Sequence, residues 1–197
     1  MPPIPAVAAE SILGAVLAGG RSRRFGSPKT LATVGGASLL ELPLRALLEA
    51  FGTAVVVCKP GTPLPSLPSG VAVWHDDDPT DHPLSGILAA LKRHRGRVAV
   101  LACDMPSAGA GLMRRLAAAP GPNALARSAR GLEPLAAIYH PSATAGLAQG
   151  LATRAPLRAT VAKLAPIEVP ASASELANIN HAADLAEGER PAIRTTL

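Results

Sequence analysis

The sequence predicts an α/β fold, a three-layer sandwich around a mostly parallel sheet, and three observations carry that prediction. Short runs of Ala, Val, Leu and Ile, apolar at consecutive rather than alternate positions, recur at residues 11–17, 53–58 and 97–103, as strands buried on both faces require. Stretches of helical character separate the strands. The first run stops at Gly19-Gly20 and the third at Asp104. In such sheets ligands bind beyond the carboxyl ends of the strands, so the loop after Leu17 and the turn at Asp104 are the segments to read for function.

The elements follow in order. Residues 11–17 form a strand that ends on glycine. Residues 38–50 read as a helix, with Ser38 as N-cap and Glu41 completing a capping box, and with Pro43 early enough to be tolerated. Strands are expected at 53–58 and 71–74, separated by a loop at 60–70 too rich in Pro, Gly and Ser for regular structure. A helix at 84–94 precedes the strand at 97–103, and 110–119 is helical again. Short strands at 124–126 and 135–139, helices at 143–151 and 157–164, and a last strand at 167–169 lead to a closing segment, 177–185. No internal repeat or linker divides the chain, so one domain over residues 1–197 is expected, with its core at about 11–186 and a frayed tail at 187–197.

Composition narrows the function. Hydrophobic residues make up 48% of the 197, enough for a full core, whereas aromatics make up 2%, so the core is aliphatic and base recognition does not rest on stacking. That argues against RNA- and single-strand-binding modules, which interleave aromatics with basic residues. A net charge of +5 and a pI near 9.9 fit a nucleic acid, a membrane surface or a small polyanion. The tightest cationic cluster, Arg21, Arg23 and Arg24, lies inside a glycine-rich loop, which favours the small polyanion and predicts no nucleic-acid partner. A looser group at residues 92–97 reads as a solvated helix end. Cys58 and Cys103 lie in or beside apolar runs and read as buried free thiols of a reducing compartment. Residues 1–10 carry no basic side chain, unlike a signal peptide, and no apolar stretch approaches the roughly 20 residues of a membrane span, so a cytoplasmic protein with no membrane partner is expected.

The segment Leu17-Ala18-Gly19-Gly20-Arg21-Ser22-Arg23-Arg24-Phe25-Gly26-Ser27-Pro28-Lys29 carries the first chemistry. Small residues after a buried strand let the backbone approach a nucleotide where a Cβ would clash, and successive N–H groups can cradle phosphate. Arg21, Arg23, Arg24 and Lys29 add charge able to neutralise a triphosphate. No GK[ST] follows, which excludes a Walker A loop, and the dinucleotide GxGxxG is absent. At Val98-Ala99-Val100-Leu101-Ala102-Cys103-Asp104-Met105-Pro106, a carboxylate stands at the mouth of a buried strand, placed to hold a divalent cation against phosphate oxygens, with a helix-capping aspartate as the competing reading. The run His75-Asp76-Asp77-Asp78-Pro79-Thr80-Asp81-His82-Pro83-Leu84-Ser85-Gly86 crowds carboxylates that a cation or guanine N–H groups could relieve, or that water could solvate. Its spacing fits no zinc template.

Those residues carry a resemblance. The strand followed by LAGGRSRRFGSPK is similar to the nucleotidyltransferase signature of Leu-Ala-Gly-Gly, an Arg-hydrophobe-Gly step and a Lys, and looks most like the molybdenum cofactor guanylyltransferases. Related cytidylyltransferases and sugar-nucleotide pyrophosphorylases usually carry Ala-Ala-Gly, so Gly19 leaves room for a purine and the match implies GTP. The likeness extends to the Cys-Asp-x-Pro turn, to an Asp before Gly-Pro-Leu-x-Gly, to residues 133–139, and to the closing Asn178-Ile179-Asn180. It covers about residues 12–186 and departs at Pro28 (usually Asp), His82 (usually Gly) and His181-Ala182 (usually Thr-Pro).

The resemblance implies a Rossmann-like nucleotidyltransferase fold and transfer of GMP from GTP to molybdopterin, with Mg²⁺ on Asp104. Leu17, Ala18, Gly19, Gly20, Arg21, Lys29, Asp76, Asp77 and Asp104 would bind GTP, and Lys29, Asp104 and Arg24 would be catalytic. Asn178 and Asn180, alternating on one side of an extended segment, would hold the pterin or a phosphate, with helix capping by Asn180 as the competing reading. Molybdoenzymes and molybdenum insertion proteins are the partners that family analogy supplies. The rival readings are a cytidylyltransferase for the same pterin, a guanylyltransferase for another phosphorylated acceptor, and a non-catalytic molybdopterin-binding adaptor.

Overall fold

Five consecutive buried residues, Leu13–Leu17, form the first strand, β1, of a computed structural model that describes residues 11–19, 28–179 and 184. They are apolar without alternation because both faces of the strand are covered: Leu13, Ala15 and Leu17 pack on one side, Val16 on the other. The same holds for β4 (Ala54–Cys58) and β6 (Val98–Ala102). Both pair with β1 in parallel, and β5 (Ala72–His75) extends the sheet beyond β4. On the far side of β6 lie β8 (Gly131–Tyr139), β7 (Ala124–Ser128) and β9 (Ile167–Pro170), giving the order β5-β4-β1-β6-β8-β7-β9. In this sheet, among the described residues, only β8 runs antiparallel to its neighbours, which bears out a mostly parallel sheet.

Helices cover both faces. α1 (Glu41–Phe51) and α3 (Ala110–Ala117) place Leu44, Leu47, Leu112, Met113 and Leu116 against one face. α2 (Pro83–His94), α4 (Thr144–Ala152) and α5 (Leu157–Ala162) place Leu84, Ile87, Leu91, Leu147 and Val161 against the other. Each fully buried leucine contributes roughly 2–3 kcal/mol of apolar transfer energy, and with so few aromatics these aliphatics supply nearly the whole core. Gly14 sets the closeness of one layer, since a Cβ there would lie 2.7 Å from Leu47 Cβ on α1.

Four local differences from expectation have physical causes. Helix α1 starts at Glu41, three residues after Ser38, yet Ser38 Oγ accepts the Glu41 N–H at 3.1 Å, so the cap forms from two residues before the N-cap position, Leu40. Ser38 itself belongs to a small antiparallel pair, β2 (Thr33–Val34) and β3 (Ala37–Ser38), joined by Gly35-Gly36, both at positive φ as a tight hairpin turn requires. In β8 the register against β7 shifts around Pro134, which has no N–H for a ladder, and the Tyr139 hydroxyl donates to the Pro134 carbonyl at 2.8 Å. No strand forms at 177–179; instead the Ile179 N–H donates to the Asp104 carbonyl at 2.9 Å and Ile179 packs on Leu39. The expectation for the tail at 187–197 falls outside the described residues.

The chain leaves β1 for β4 and β5 on one side, then returns to β6 on the other. The crevice between the carboxyl ends of β1 and β6 is therefore the topological switch point, where open α/β sheets bind ligands.

Candidate functional site

Beyond that switch point lies a cavity of about 780 Å³, within the range of small-molecule sites. Its floor is made by strand ends: Leu17, Ala18 and Gly19 after β1, Val57 to Lys59 at β4, Asp76 after β5, and Ala102 to Asp104 at β6. The sheet's hydrogen bonding runs up to this floor, with Ala18 N–H donating to Val57 O at 2.8 Å and Cys103 N–H to Leu17 O at 3.1 Å. Gly19 is the first residue past those bonds, and a Cβ built on it meets nothing within 4 Å, so a side chain there would project into open space.

At the β6 end, Lys29 Nζ sits 3.0 Å from Asp104 Oδ2, with the two side chains 17% and 22% exposed. Lys29 opens a single 3₁₀ turn, Lys29–Leu31, that follows Pro28; Thr30 ties this turn down by donating to the Pro63 carbonyl at 2.6 Å. Asp104 caps no helix, because α3 starts six residues later with Gly109 at its N-cap. Its neighbour Cys103 is buried, and burial together with the Asp104 charge pushes its thiol up to about 12, while burial also raises Cys58. Both are free buried thiols as expected, although both lie on the cavity floor.

At the β5 end Asp76, almost fully buried, is held by three donors. Lys59 Nζ lies 2.8 Å from Oδ2, the Ser85 hydroxyl donates to Oδ2 at 2.6 Å, and the Asp78 N–H donates to Oδ1 at 3.2 Å. Lys59 also donates to the Asp78 carbonyl. Asp78 accepts from Thr80 N–H at 2.8 Å, which, with the Thr80 hydrogen bonds, keeps its carboxyl below the usual range. His82, where the resemblance expects glycine, caps α2: its Nδ1 accepts the Leu84 N–H at 3.2 Å. Its φ of −142° needs no glycine, so the departure leaves the loop intact.

Between the two ends, Leu135 reaches the cavity wall from β8. Glu133, two residues earlier, is raised by burial, opposed by the Leu135 N–H and by Arg158 3.7 Å away, while the Asp104 charge adds to the rise.

Residues 14–167 match the family described as the MobA-like NTP transferase domain. The chain belongs to that family. Family membership makes it a nucleotidyltransferase. It is 40% identical over 138 residues to a probable molybdenum cofactor guanylyltransferase of Opitutus terrae, covering 66% of this chain and 67% of that protein. A protein of the same description in Deinococcus radiodurans is 35% identical over 188 residues, 89% of this chain and 93% of its own. The crystal structure of molybdopterin-guanine dinucleotide biosynthesis protein A from Archaeoglobus fulgidus superposes with a TM-score of 0.68 at 25% identity, covering 90% of this chain and 96% of that one.

Against this family frame, the structure brings Leu17, Ala18, Gly19, Lys29, Asp76 and Asp104 to one cavity. Asp77 is exposed and borders an adjoining depression with Asp78 and Asp81 instead. Asn178 is exposed and off the cavity wall, though its neighbour Ile179 is bonded to the Asp104 carbonyl. Gly20, Arg21, Arg23, Arg24 and Asn180 lie outside the described residues. Lys59 and Ser85 line the cavity without having been singled out from sequence. Lys59 had a signal, a charge directly after a buried strand, the rule that found Asp104. Ser85 had none, because its role depends on α2 folding back over Asp76. No helix among the described residues is long and apolar enough to cross a membrane.

Proposed function

We propose that this chain transfers GMP from GTP to molybdopterin, releasing pyrophosphate and forming the guanine dinucleotide form of the molybdenum cofactor. The observation that carries the reading is the pairing of Lys29 with Asp104 at the mouth of a switch-point cavity, in a chain whose relatives at 35–40% identity are described as molybdenum cofactor guanylyltransferases.

In this reading a terminal phosphate oxygen of the acceptor bonds to the α-phosphorus of GTP in line with the bridging oxygen to the β-phosphorus, and that bond breaks as pyrophosphate leaves. The attacking phosphate is already ionised, so no side chain has to act as base or covalent nucleophile. The protein's work is positioning and charge neutralisation. Lys29 faces the phosphates with its ammonium, and Arg21 and Arg24 occupy the chain between Gly19 and Pro28, both of which border the cavity. The small residues at Ala18 and Gly19 let the nucleoside lie against the backbone, with Asp76 at the far end.

A divalent cation fits the donor set. No group of three His, Cys, Asp or Glu gathers among the described residues, so a cation on Asp104 would complete its shell with phosphate oxygens and water, as Mg²⁺ does. Asp104 is the residue that would hold it, and the ion would supply charge neutralisation at the phosphates. Asn178, next to the segment bonded to Asp104, is the acceptor contact in this scheme.

Pyrophosphate release from GTP, CTP, ATP and UTP, with Mg²⁺ and with molybdopterin present or absent, tests the proposal. Release from GTP that requires the pterin is the expected result. Preference for CTP would move the chain to cytidylyl transfer, and no release from any nucleotide would leave it a binding protein.

A further inference from the structure

The two ends of the cavity differ in charge. At one end stands Lys29 with Asp104, flanked in sequence by Arg21, Arg23 and Arg24. At the other, Lys59 is the one cation among the described residues that faces Asp76, with Asp77 and Asp78 around the adjoining rim. Three strand spacings separate β5 from β6, roughly 14 Å at about 4.8 Å per strand, close to the reach of an extended nucleotide. A triphosphate is repelled from the acidic end and drawn to the cationic one, so the base belongs beside Lys59 and Asp76.

That pair has a defined hydrogen-bonding polarity. Asp76 already accepts from Lys59 and Ser85 on Oδ2 and from the Asp78 N–H on Oδ1, which leaves room for one further donor. It cannot take the N1–H and N2–H of a guanine together. Lys59 has three N–H groups. Two point at Asp76 and the Asp78 carbonyl, while the third has only a long contact, 3.4 Å to Ser85 Oγ, and the side chain is 30% exposed on the cavity wall. A donor thus stands 2.8 Å from an acceptor with one vacancy.

We propose that Lys59 and Asp76 read the base as a donor–acceptor pair: Lys59 donates to the O6 carbonyl and Asp76 accepts from N1–H. This assignment rests on the guanylyl-transfer reading and adds a residue that contributes to its base specificity. Adenine presents the reverse order, an amino donor at C6 and an acceptor at N1, and cytosine is reversed in the same way, so both meet like against like. Uracil has the matching polarity but not the size of a purine. The guanine 2-amino group is not needed by this pair.

Equilibrium binding of nucleotides to the wild-type full chain and to Lys59→Met tests the assignment. Wild type should hold GTP and inosine triphosphate within a few-fold of each other. It should lose about 10- to 100-fold on ATP and on 2-aminopurine riboside triphosphate, which keeps the amino group but lacks O6. Lys59→Met should erase most of that difference by weakening GTP while leaving ATP where it was. Equal weakening of GTP and ATP in Lys59→Met would overturn the assignment, because Lys59 would then only brace Asp76. Tight wild-type binding of the 2-aminopurine analogue would overturn it too, whether or not the variant folds. Those outcomes leave guanylyl transfer standing, whereas wild-type preference for ATP or CTP would remove both readings.

Discussion

Lys29 and Asp104 meet at 3.0 Å across 75 residues of sequence, and each moderates the other's charge at the edge of the core. Replacing Asp104 with Asn keeps the shape and removes the carboxylate, so turnover should fall by about 10³-fold or more while circular dichroism and the unfolding midpoint stay close to wild type. Retained turnover in Asp104→Asn would show that another carboxylate does this work. Both residues were legible in the sequence because a charge immediately after a buried run, or at the end of a glycine-rich loop, has few structural uses. Asp76 was legible for the same reason, but its neighbour Asp77 was not separable from it. One step along an extended segment turns a side chain from the cavity to solvent, and only the fold settles which step is which. At Asn178 only the local conformation differs from the sequence reading: the alternation suggested an extended strand, whereas residues 177–179 are coil, with the Ile179 N–H bonded to the Asp104 carbonyl.

At the scale of elements, the strands that carry the site were the easiest to place. β1, β4 and β6 are buried on both faces, so their composition alone marks them. What escaped was chemistry confined to a few residues. The β2–β3 hairpin is two residues a side, too short for periodicity, and its signal was the Gly35-Gly36 pair. The shift at Pro134 depends on a partner strand and a Tyr139 hydroxyl that sequence order does not reveal. Layer spacing is testable at Gly14, where an added Cβ would fall 2.7 Å from Leu47 Cβ and 3.1 Å from Ala54 Cβ. Gly14→Ala should cost about 1–3 kcal/mol in urea unfolding, since α1 must move off β1 to admit it. A variant as stable as wild type would mean that the α1–β1 layer is loosely packed.

Across the whole molecule, the switch point and the charge distribution act together. The order β5-β4-β1-β6 places Asp76 with Lys59 and Asp104 with Lys29 on either side of Gly19, so in the proposed function one cavity would orient a nucleotide before any acceptor arrives. In the proposed function the net charge of +5 suits a small polyanion, since Lys29 and Lys59 border the cavity. In the proposed reaction the α-phosphorus of GTP is the atom transferred. Incubation of the protein, Mg²⁺ and molybdopterin with GTP labelled either at the α- or at the γ-phosphorus tests it directly. α-Label should appear in the pterin product and γ-label in pyrophosphate; γ-label on the acceptor, or released as inorganic phosphate with no labelled pterin, would rule out guanylyl transfer.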